Sequence, residues 1–213
     1  MLPRLYPIVD VDLCRERNLD PLAVLEAFLA GGARLVQLRD KSSSTRDFVA
    51  LADAAVARAR KGGSQLIVND RADVARLSRA DGVHVGQDDL SVADVRRVLG
   101  PDAIVGVSTH TREQIDAAAR TDATYIAVGP IYGTATKETG YAARGLDLVR
   151  FAVRHEQPIV AIGGITIDRA PDVLAAGAAS VAVITDLLIG GDPADRVRAF
   201  LDRVSESDPK RSS

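Results

Sequence analysis

Eight short apolar segments recur along the chain, and a longer segment with helical spacing separates each from the next. In residues 21–29 and 48–56, for example, apolar residues recur every three or four positions, which is typical of amphipathic helices. The predicted strands are residues 5–9, 35–38, 65–68, 82–85, 104–107, 125–128, 159–162 and 181–184. Residues that favour helix starts are Asp20, Ser91, Thr111 and Asp168. Strands that alternate with helices through short loops form right-handed β-α-β units and a parallel sheet.

Eight such units fill the 213 residues. Eight parallel strands favour a closed (β/α)8 TIM barrel, although about 250 residues is the more usual length. The alternative is an open doubly wound sheet, which would place a glycine-rich phosphate loop after the first strand. Asp10, Val11 and Asp12 follow that strand instead, so we expect an α/β barrel in one compact domain over residues 1–204. Residues 205–213 lack periodic apolar residues, and we expect this tail to fray.

The composition argues against several classes of function. A net charge of −2 and the lack of a basic run interleaved with aromatic residues disfavour nucleic-acid binding. No apolar run approaches the ~18 residues of a membrane span, and the first residues lack the layout of a signal peptide. Cys14 is the only cysteine, so no intrachain disulfide can form. We therefore expect a soluble cytoplasmic protein whose partners are small molecules rather than nucleic acid or membranes. The sequence does not give the oligomeric state, and a homodimer is one assembly that it allows.

Polar residues follow most of the predicted strands, where a barrel of this kind builds its reactive face. Arg39 and Lys41 lie two apart after the second strand, so in extended chain they point the same way. Two such cations can hold a multiply charged oxyanion, although a solvated charged loop is the simpler alternative. Other polar or glycine residues at strand ends are Gln37, Asp40, Asn69, Asp70, Asp88, Asp89, Ser108, His110, Thr134, Thr136, Lys137, Gly163, Gly164 and Thr185.

Two aspartates are candidate metal ligands. Carboxylates from Asp70 and Asp89, completed by phosphate oxygens and water, suit Mg²⁺, which seldom has an all-protein cage. Asp70 has an alternative role as the cap of the following helix, and Asp89 has one in a turn before Ser91. Asp88 is an alternative to Asp89 as the ligand. Zinc-ligand spacing of His and Cys is not found in the sequence.

Gly163 and Gly164 favour a phosphate cradle. Their exposed N–H groups and the turn after the eighth strand match the phosphate site common in such barrels. The alternative is a tight turn that needs positive φ. Among the histidines, His84 alternates with valines inside a strand and is predicted to be a core residue, whereas His110 lies next to the mouth and is placed to titrate there.

Taken together, these motifs resemble those of thiamine-phosphate synthases over nearly the whole chain. The motifs are residues 37–41, 69–71, 81–87 with Asp89, 106–108, 129–131 with Thr134, Thr136 and Lys137, and 161–165. The resemblance implies a Mg²⁺-dependent reaction that joins hydroxymethylpyrimidine diphosphate to thiazole phosphate and releases pyrophosphate. In that family the pyrimidine diphosphate ionises to a carbocation, which the thiazole nitrogen captures.

The resemblance also implies a role for each strand-end residue. The residues implied for the pyrimidine diphosphate are Gln37, Arg39, Asp40, Lys41, Asn69, Ser108 and Lys137. Those implied for the thiazole phosphate are Thr134, Thr136, Gly164, Ile184 and Thr185. Asp70 and Asp89 would bind Mg²⁺. Four residues would assist the departure of pyrophosphate, namely Arg39, Lys41, Ser108 and Lys137.

Two alternatives to the synthase activity stay open. Residues 138–146 are similar to those of related thiazole tautomerases, in which His110 would be a candidate proton carrier. Those relatives often lack the full set of Asn69, Asp70 and Asp89, which this chain retains, so that set favours the synthase. The other alternative is a non-catalytic protein that binds thiamine precursors.

Overall fold

Eight parallel strands close into a barrel in the order of the sequence. The computed structural model describes residues 2–133 and 142–206. The strands are β1 (Leu5–Asp10), β2 (Leu35–Arg39), β3 (Gln65–Asn69), β4 (Gly82–Val85), β5 (Ile104–Thr109), β6 (Tyr125–Val128), β7 (Ile159–Ile162) and β8 (Ser180–Val183). Because β1 pairs with both β2 and β8, the sheet has no edge, and the (β/α)8 barrel is confirmed over the open sheet.

Helices pack around the outside of this barrel and connect its strands. They are α1 (Val11–Glu16), α2 (Pro21–Ala30), α3 (Thr45–Lys61), α4 (Ala72–Ser78), α5 (Val92–Leu99), α6 (Arg112–Ala118), α7 (Gly145–Ala152), α8 (Ala170–Ala175) and α9 (Pro193–Glu206), with a 3₁₀ turn at Thr185–Leu188. The last helix reaches Glu206, so the first two residues of the segment 205–213 are helical. Residues 207–213 lie outside the described residues.

Side-chain caps fix several helix starts. Asp20, Ser91 and Thr111 each accept a backbone N–H from the first turn of the helix that follows, as predicted. The predicted start at Asp168 is wrong, because α8 begins at Ala170. A turn precedes α8 instead, in which the N–H groups of Arg169 and Ala170 donate to the Thr166 carbonyl. The proline in the first turn of α8 is tolerated because N–H groups there have no partner within the helix.

Alternation along the strands separates two apolar layers. Outward side chains such as Val36 and Leu66 join the large core between strands and helices. Inward side chains form a second cluster inside the barrel, made of Tyr6, Ile8, Leu35, Ile67, Tyr125, Ala127, Val160 and Ala182. Because side chains alternate with a period of two, the polar residues two positions beyond these inward ones also face the interior.

None of the helices in residues 2–133 and 142–206 is both long and apolar enough to cross a membrane. Cys14, the single cysteine, is fully buried beside β1.

Candidate active site

A cavity of about 300 Å³ opens at the carboxyl ends of the strands. Its lining includes seven predicted site residues, namely Gln37, Arg39, Asn69, Ser108, Gly164, Ile184 and Thr185. They come together because the carboxyl ends of all eight parallel strands meet at one mouth. Thr134, Thr136 and Lys137 lie outside the described residues.

A chain of hydrogen bonds crosses the floor of this cavity. The amide nitrogen Nε2 of Gln37 lies 3.1 Å from the Tyr6 hydroxyl, which lies 3.1 Å from the Tyr125 hydroxyl. Tyr125 in turn lies 3.0 Å from Nδ1 of His84, and His84 Nε2 lies 2.8 Å from the Ser108 hydroxyl. Five side chains from five strands are thereby linked inside the barrel.

Burial raises the pKa of both Tyr6 and Tyr125 above the ordinary tyrosine value, so both hydroxyls keep their protons at neutral pH. His84 is buried, as predicted, but it lines the cavity rather than the core behind the strands. Neither tyrosine was predicted to be a site residue from the sequence. The one feature of the sequence that could have indicated them is a hydroxyl group within an otherwise apolar strand.

Gly106 on β5 makes room for the ring of Tyr125. A Cβ atom added at Gly106 would lie 2.1 Å from Cζ of Tyr125, which is far inside van der Waals contact. We expect Gly106→Ala to lower the free energy of unfolding by about 1–3 kcal/mol through overpacking. Urea denaturation measures this loss, with Gly133→Ala as a control because a Cβ there meets no atom of the described residues within 4 Å. Equal midpoints for the two variants would contradict the packing argument.

Arg39 extends from the end of β2 into the cavity and is held by a buried carboxylate. Its Nη1 donates to Oδ2 of Asp10 at 2.6 Å, and both side chains are largely shielded from solvent. The other oxygen of Asp10 accepts the N–H of Leu13 and so caps α1. Asp10 is itself held by the N-terminus of α1, and it therefore fixes the position of the Arg39 guanidinium.

Asp40 shapes the loop after β2. Its side chain is buried, and Oδ1 accepts the N–H groups of Ser42 and Ser43 at 3.2 and 3.0 Å. Asp40 does not line the cavity, so the structure gives it a role in loop geometry, and its contact with substrate stays a prediction. Lys41, the next residue, points its ammonium group to the Asp70 carboxylate. Neither of these residues lines the cavity, but each lies one or two positions beyond a residue that does, Arg39 and Asn69 respectively.

Asp70 sits in an unusual backbone conformation at the end of β3. Its φ is 62°, in the left-handed region that few residues other than glycine occupy. The alternative role of Asp70 as a helix cap is wrong, because Arg71 occupies the N-cap position of α4 and no side chain caps it. The left-handed turn instead leaves the Asp70 carboxylate at the rim beside Lys41.

The carboxyl of Asp89 lies against that of Asp70. Partial burial, followed by the neighbouring Asp70 carboxylate, raises the pKa of Asp89 above its ordinary value, although the N–H of Gly86 donates to it at 2.7 Å. That hydrogen bond also gives Asp89 the turn role considered above. Between the two candidates, Asp89 rather than Asp88 is the residue in contact with Asp70.

The loop after β7 requires glycine at two positions. Gly163 and Gly164 have φ values of 103° and 62°. Added Cβ atoms would lie 2.6 Å from the Cα of Pro130 and 2.5 Å from the carbonyl oxygen of Gly133. The tight turn is therefore present, and within the described part of the chain neither glycine N–H donates to a protein acceptor. The turn and a phosphate cradle are compatible with one another.

Two residues that were given no role from the sequence surround this loop. Arg169 lines the cavity, with Nη1 donating to the Gly164 carbonyl at 2.8 Å and its guanidinium 4.6 Å from the centre of the Tyr132 ring. Asp186 is buried, and its Oδ2 accepts the Ile167 N–H at 3.2 Å and an Arg196 nitrogen at 2.7 Å. Asp186 thus ties the loop after β7 to the turn after β8.

The site therefore combines cations, a pair of carboxylates and a glycine loop around one cavity. A family model described as thiamine monophosphate synthase matches residues 5–187. The chain belongs to the thiamine monophosphate synthase family. The match spans all eight strands, so the family predicted from the motifs is confirmed.

Individual relatives agree with membership of the thiamine monophosphate synthase family. The thiamine-phosphate synthase of Roseiflexus castenholzii is 44% identical over 202 residues, which cover 94% of this chain and 88% of that protein. The thiamine-phosphate synthase of Koribacter versatilis is 45% identical over 206 residues, covering 94% and 95%. The solved structure of thiamine phosphate pyrophosphorylase from Pyrococcus furiosus superimposes with a TM-score of 0.86 at 29% identity, covering 96% of each chain.

Proposed function

We propose that this protein joins hydroxymethylpyrimidine diphosphate to thiazole phosphate, giving thiamine phosphate and pyrophosphate. The observation that carries the proposal is the cluster of Lys41, Asp70 and Asp89, whose side chains contact one another. The cluster follows the ends of β2, β3 and β4, and Arg39 at the end of β2 lines the cavity. Cations beside paired carboxylates suit a diphosphate that binds together with a divalent metal. The relatives named above support the same reaction.

The pyrimidine half of the substrate fits the floor of the cavity. Gln37, Asn69 and Ser108 line it and offer amide and hydroxyl groups to the polar edges of a pyrimidine ring. The inward apolar layer, including Ile8 and Ala127, packs against the ring faces. Such a mixture of apolar walls and few polar groups is typical of small-molecule sites.

Asp70 and Asp89 fit a magnesium ion. Partial burial and the adjoining Asp70 carboxylate raise the pKa of Asp89, and Lys41 supplies only one positive charge to this pair of carboxyl groups. Within residues 2–133 and 142–206, no three His, Cys, Asp or Glu side chains gather as a complete metal site. That suits Mg²⁺, whose remaining positions are commonly filled by phosphate oxygens and water. When bound, Mg²⁺ would stabilise the negative charge that develops on departing pyrophosphate.

The protein's own cations act on the same leaving group. Arg39, held by Asp10, presents a fixed guanidinium, and Lys41 adds a point charge at the rim. Charges that are fixed before the reaction need no reorganisation as pyrophosphate departs. Ser108 donates a further hydrogen bond, and Lys137, outside the described residues, is the fourth member of the predicted set. No protein nucleophile is required, because the carbocation left behind is captured by the thiazole nitrogen.

The thiazole phosphate binds at the opposite side of the mouth. Gly164, Ile184 and Thr185 line the cavity there, and the N–H groups of the glycine loop are available to phosphate oxygens. Arg169 is a further cation at this end. Thr134 and Thr136 complete the predicted set from outside the described residues. A homodimer and a cytoplasmic location stay predictions.

Replacing Arg169 tests this placement of the thiazole phosphate. We expect Arg169→Ala to raise the KM for thiazole phosphate about fivefold to tenfold. The substitution removes one charge-assisted contact between an exposed guanidinium and the substrate phosphate. The KM for the pyrimidine diphosphate should not change. Arg154→Ala is the matched control, because Arg154 also lies over an aromatic ring, that of Phe151, but does not line the cavity. An equal rise in both KM values would contradict the assignment.

Product analysis tests the proposed function. Incubation with both precursors and Mg²⁺ should give thiamine phosphate, identified by chromatography and mass. The tautomerase alternative predicts isomerisation of thiazole carboxylate phosphate without metal, with His110, which lines the cavity, as the proton carrier. Tight binding of precursors by calorimetry without turnover would instead support a binding protein. Failure to form thiamine phosphate would overturn the proposal.

A further inference from the structure

The polar chain on the cavity floor has a direction. Four hydrogen bonds link Gln37, Tyr6, Tyr125, His84 and Ser108, and each hydroxyl in the chain can donate only one proton. Tyr6 and Tyr125 are almost completely buried, so their protons have no access to bulk water. A buried hydroxyl proton without an acceptor is costly, and this requirement decides which atom donates in each bond.

Gln37 sets the direction at one end. Its Nε2 can only donate, so the Tyr6 oxygen is the acceptor. Within the described residues, the remaining acceptor for the Tyr6 proton is the oxygen of Tyr125. Tyr6 therefore donates to Tyr125. The carbonyl oxygen of Gln37 has no protein partner in the described part of the chain and belongs to the cavity lining.

The same reasoning gives the donor of each hydrogen bond from Tyr125 to Ser108. Tyr125 accepts from Tyr6, so its own proton goes to Nδ1 of His84 at 3.0 Å. An imidazole whose Nδ1 accepts carries its proton on Nε2, which then donates to Ser108 at 2.8 Å. The Tyr125 ring also stacks on the imidazole, with ring centres 5.6 Å apart, and this stacking fixes its orientation.

We propose that Tyr6, Tyr125 and His84 form a one-way hydrogen-bond relay that holds His84 as the Nε2–H tautomer and turns the Ser108 hydroxyl proton into the cavity. The three residues are positioning residues, since Tyr6 contacts Gln37, and Tyr125 and His84 act through Ser108. Gln37 thereby presents an acceptor to the substrate, and Ser108 presents a donor. The use of that donor by a departing pyrophosphate rests on the proposed function, whereas the relay itself does not.

Nitrogen-15 NMR of histidine-labelled protein without substrates tests the relay directly. The chain has three histidines, so the signals are few and a His84→Asn variant assigns the one of interest. At about pH 8, where an ordinary histidine is neutral, we expect His84 to be protonated on Nε2 alone. His110 is an internal control with the opposite tautomer, because its Nδ1 lies 2.6 Å from the Gly129 carbonyl oxygen and must donate to it. A His84 protonated on Nδ1, or on both nitrogens, would overturn the relay.

Gln37→Glu tests whether the far end controls the direction. An ionised carboxylate can only accept, so Tyr6 would donate to it, Tyr125 would donate to Tyr6, and His84 would become the Nδ1–H tautomer. The spectrum is recorded at a pH where the carbon-13 shift of the introduced side chain shows an ionised carboxylate. His84 is separated from residue 37 by both tyrosines, so a change of its tautomer to Nδ1–H supports the relay. An unchanged Nε2–H tautomer would contradict the claim that residue 37 sets the direction of the hydrogen bonds. A structural role alone would not exchange the tautomer.

A double-mutant cycle connects the relay to turnover. Tyr125→Phe keeps the ring and should lower kcat on the order of tenfold, as expected for an outer partner that orients a functional group. Because Tyr125 acts through Ser108, adding Tyr125→Phe to Ser108→Ala should cost little more than Ser108→Ala alone. Independent, multiplying losses would overturn the positioning role. If the parent makes no thiamine phosphate, the proposed function fails, but the NMR result still decides the relay.

Discussion

Asp89→Asn is expected to lower kcat/KM by about 10²–10³-fold, the range seen when one group that stabilises developing charge is removed. The carboxylate that lies against Asp70 is lost, so the proposed Mg²⁺ site keeps one anionic ligand instead of two. The fold should survive, because an asparagine oxygen can still accept the Gly86 N–H that Asp89 accepts at 2.7 Å. The substitution also removes a carboxyl whose pKa is raised by partial burial and by the neighbouring Asp70 carboxylate.

The control for this prediction is Asp88→Asn, which changes the adjacent aspartate. Steady-state kinetics should show near-parental turnover for Asp88→Asn. Thermal unfolding gives a second readout, since Mg²⁺ should raise the Tm of the parent and of Asp88→Asn but not that of Asp89→Asn. Near-normal turnover of Asp89→Asn, with a loss in Asp88→Asn, would move the ligand to Asp88.

Arg39→Lys is the second large effect, with kcat/KM expected to fall about 100-fold. That corresponds to about 2.7 kcal/mol of lost transition-state stabilisation. A lysine retains the positive charge that Asp10 requires, so no buried carboxylate is left without a partner. It loses the planar guanidinium, which can donate to Asp10 and to a phosphate oxygen from fixed positions.

The matched control is Arg34→Lys, just before the opposite end of the same strand. Arg34 donates to the Gly62 carbonyl and does not line the cavity. The kcat/KM of the Arg34→Lys variant should therefore stay within about twofold of the parent. Both variants are compared at saturating thiazole phosphate. Equal kinetics for Arg39→Lys and the parent would show that positive charge alone suffices. That result would contradict the role of the planar guanidinium.

The barrel could be predicted because its sequence signal is local. Apolar segments of four or five residues, helix caps such as Ser91, and glycines in tight turns act within a few positions of one another. Parallel topology then brings every strand end to one mouth, so residues such as Arg39 and Ser108 were identified from their position alone. The helix start at Asp168 was predicted wrongly because a turn closed by hydrogen bonds to the Thr166 carbonyl precedes α8.

The parts of the site that were missed depend on contacts between distant residues. Parallel strands are apolar on both faces, so the sequence of β1 or β6 does not tell which side chains point inward. Tyr6 and Tyr125 are 119 residues apart and meet only when the barrel closes. Arg169 likewise acquires its place through Tyr132 and Gly164, which no local pattern relates to it.

In the proposed reaction, Asp70 and Asp89 would hold the Mg²⁺ that stabilises departing pyrophosphate. The most direct measurement follows pyrophosphate and thiamine phosphate together, in one reaction with both precursors, as Mg²⁺ is titrated into metal-free enzyme. We predict that both products appear in equal amounts and rise together with Mg²⁺, and that this response disappears in Asp89→Asn. Thiamine phosphate formed at full rate without metal, or no thiamine phosphate at any Mg²⁺ concentration, would contradict the claim.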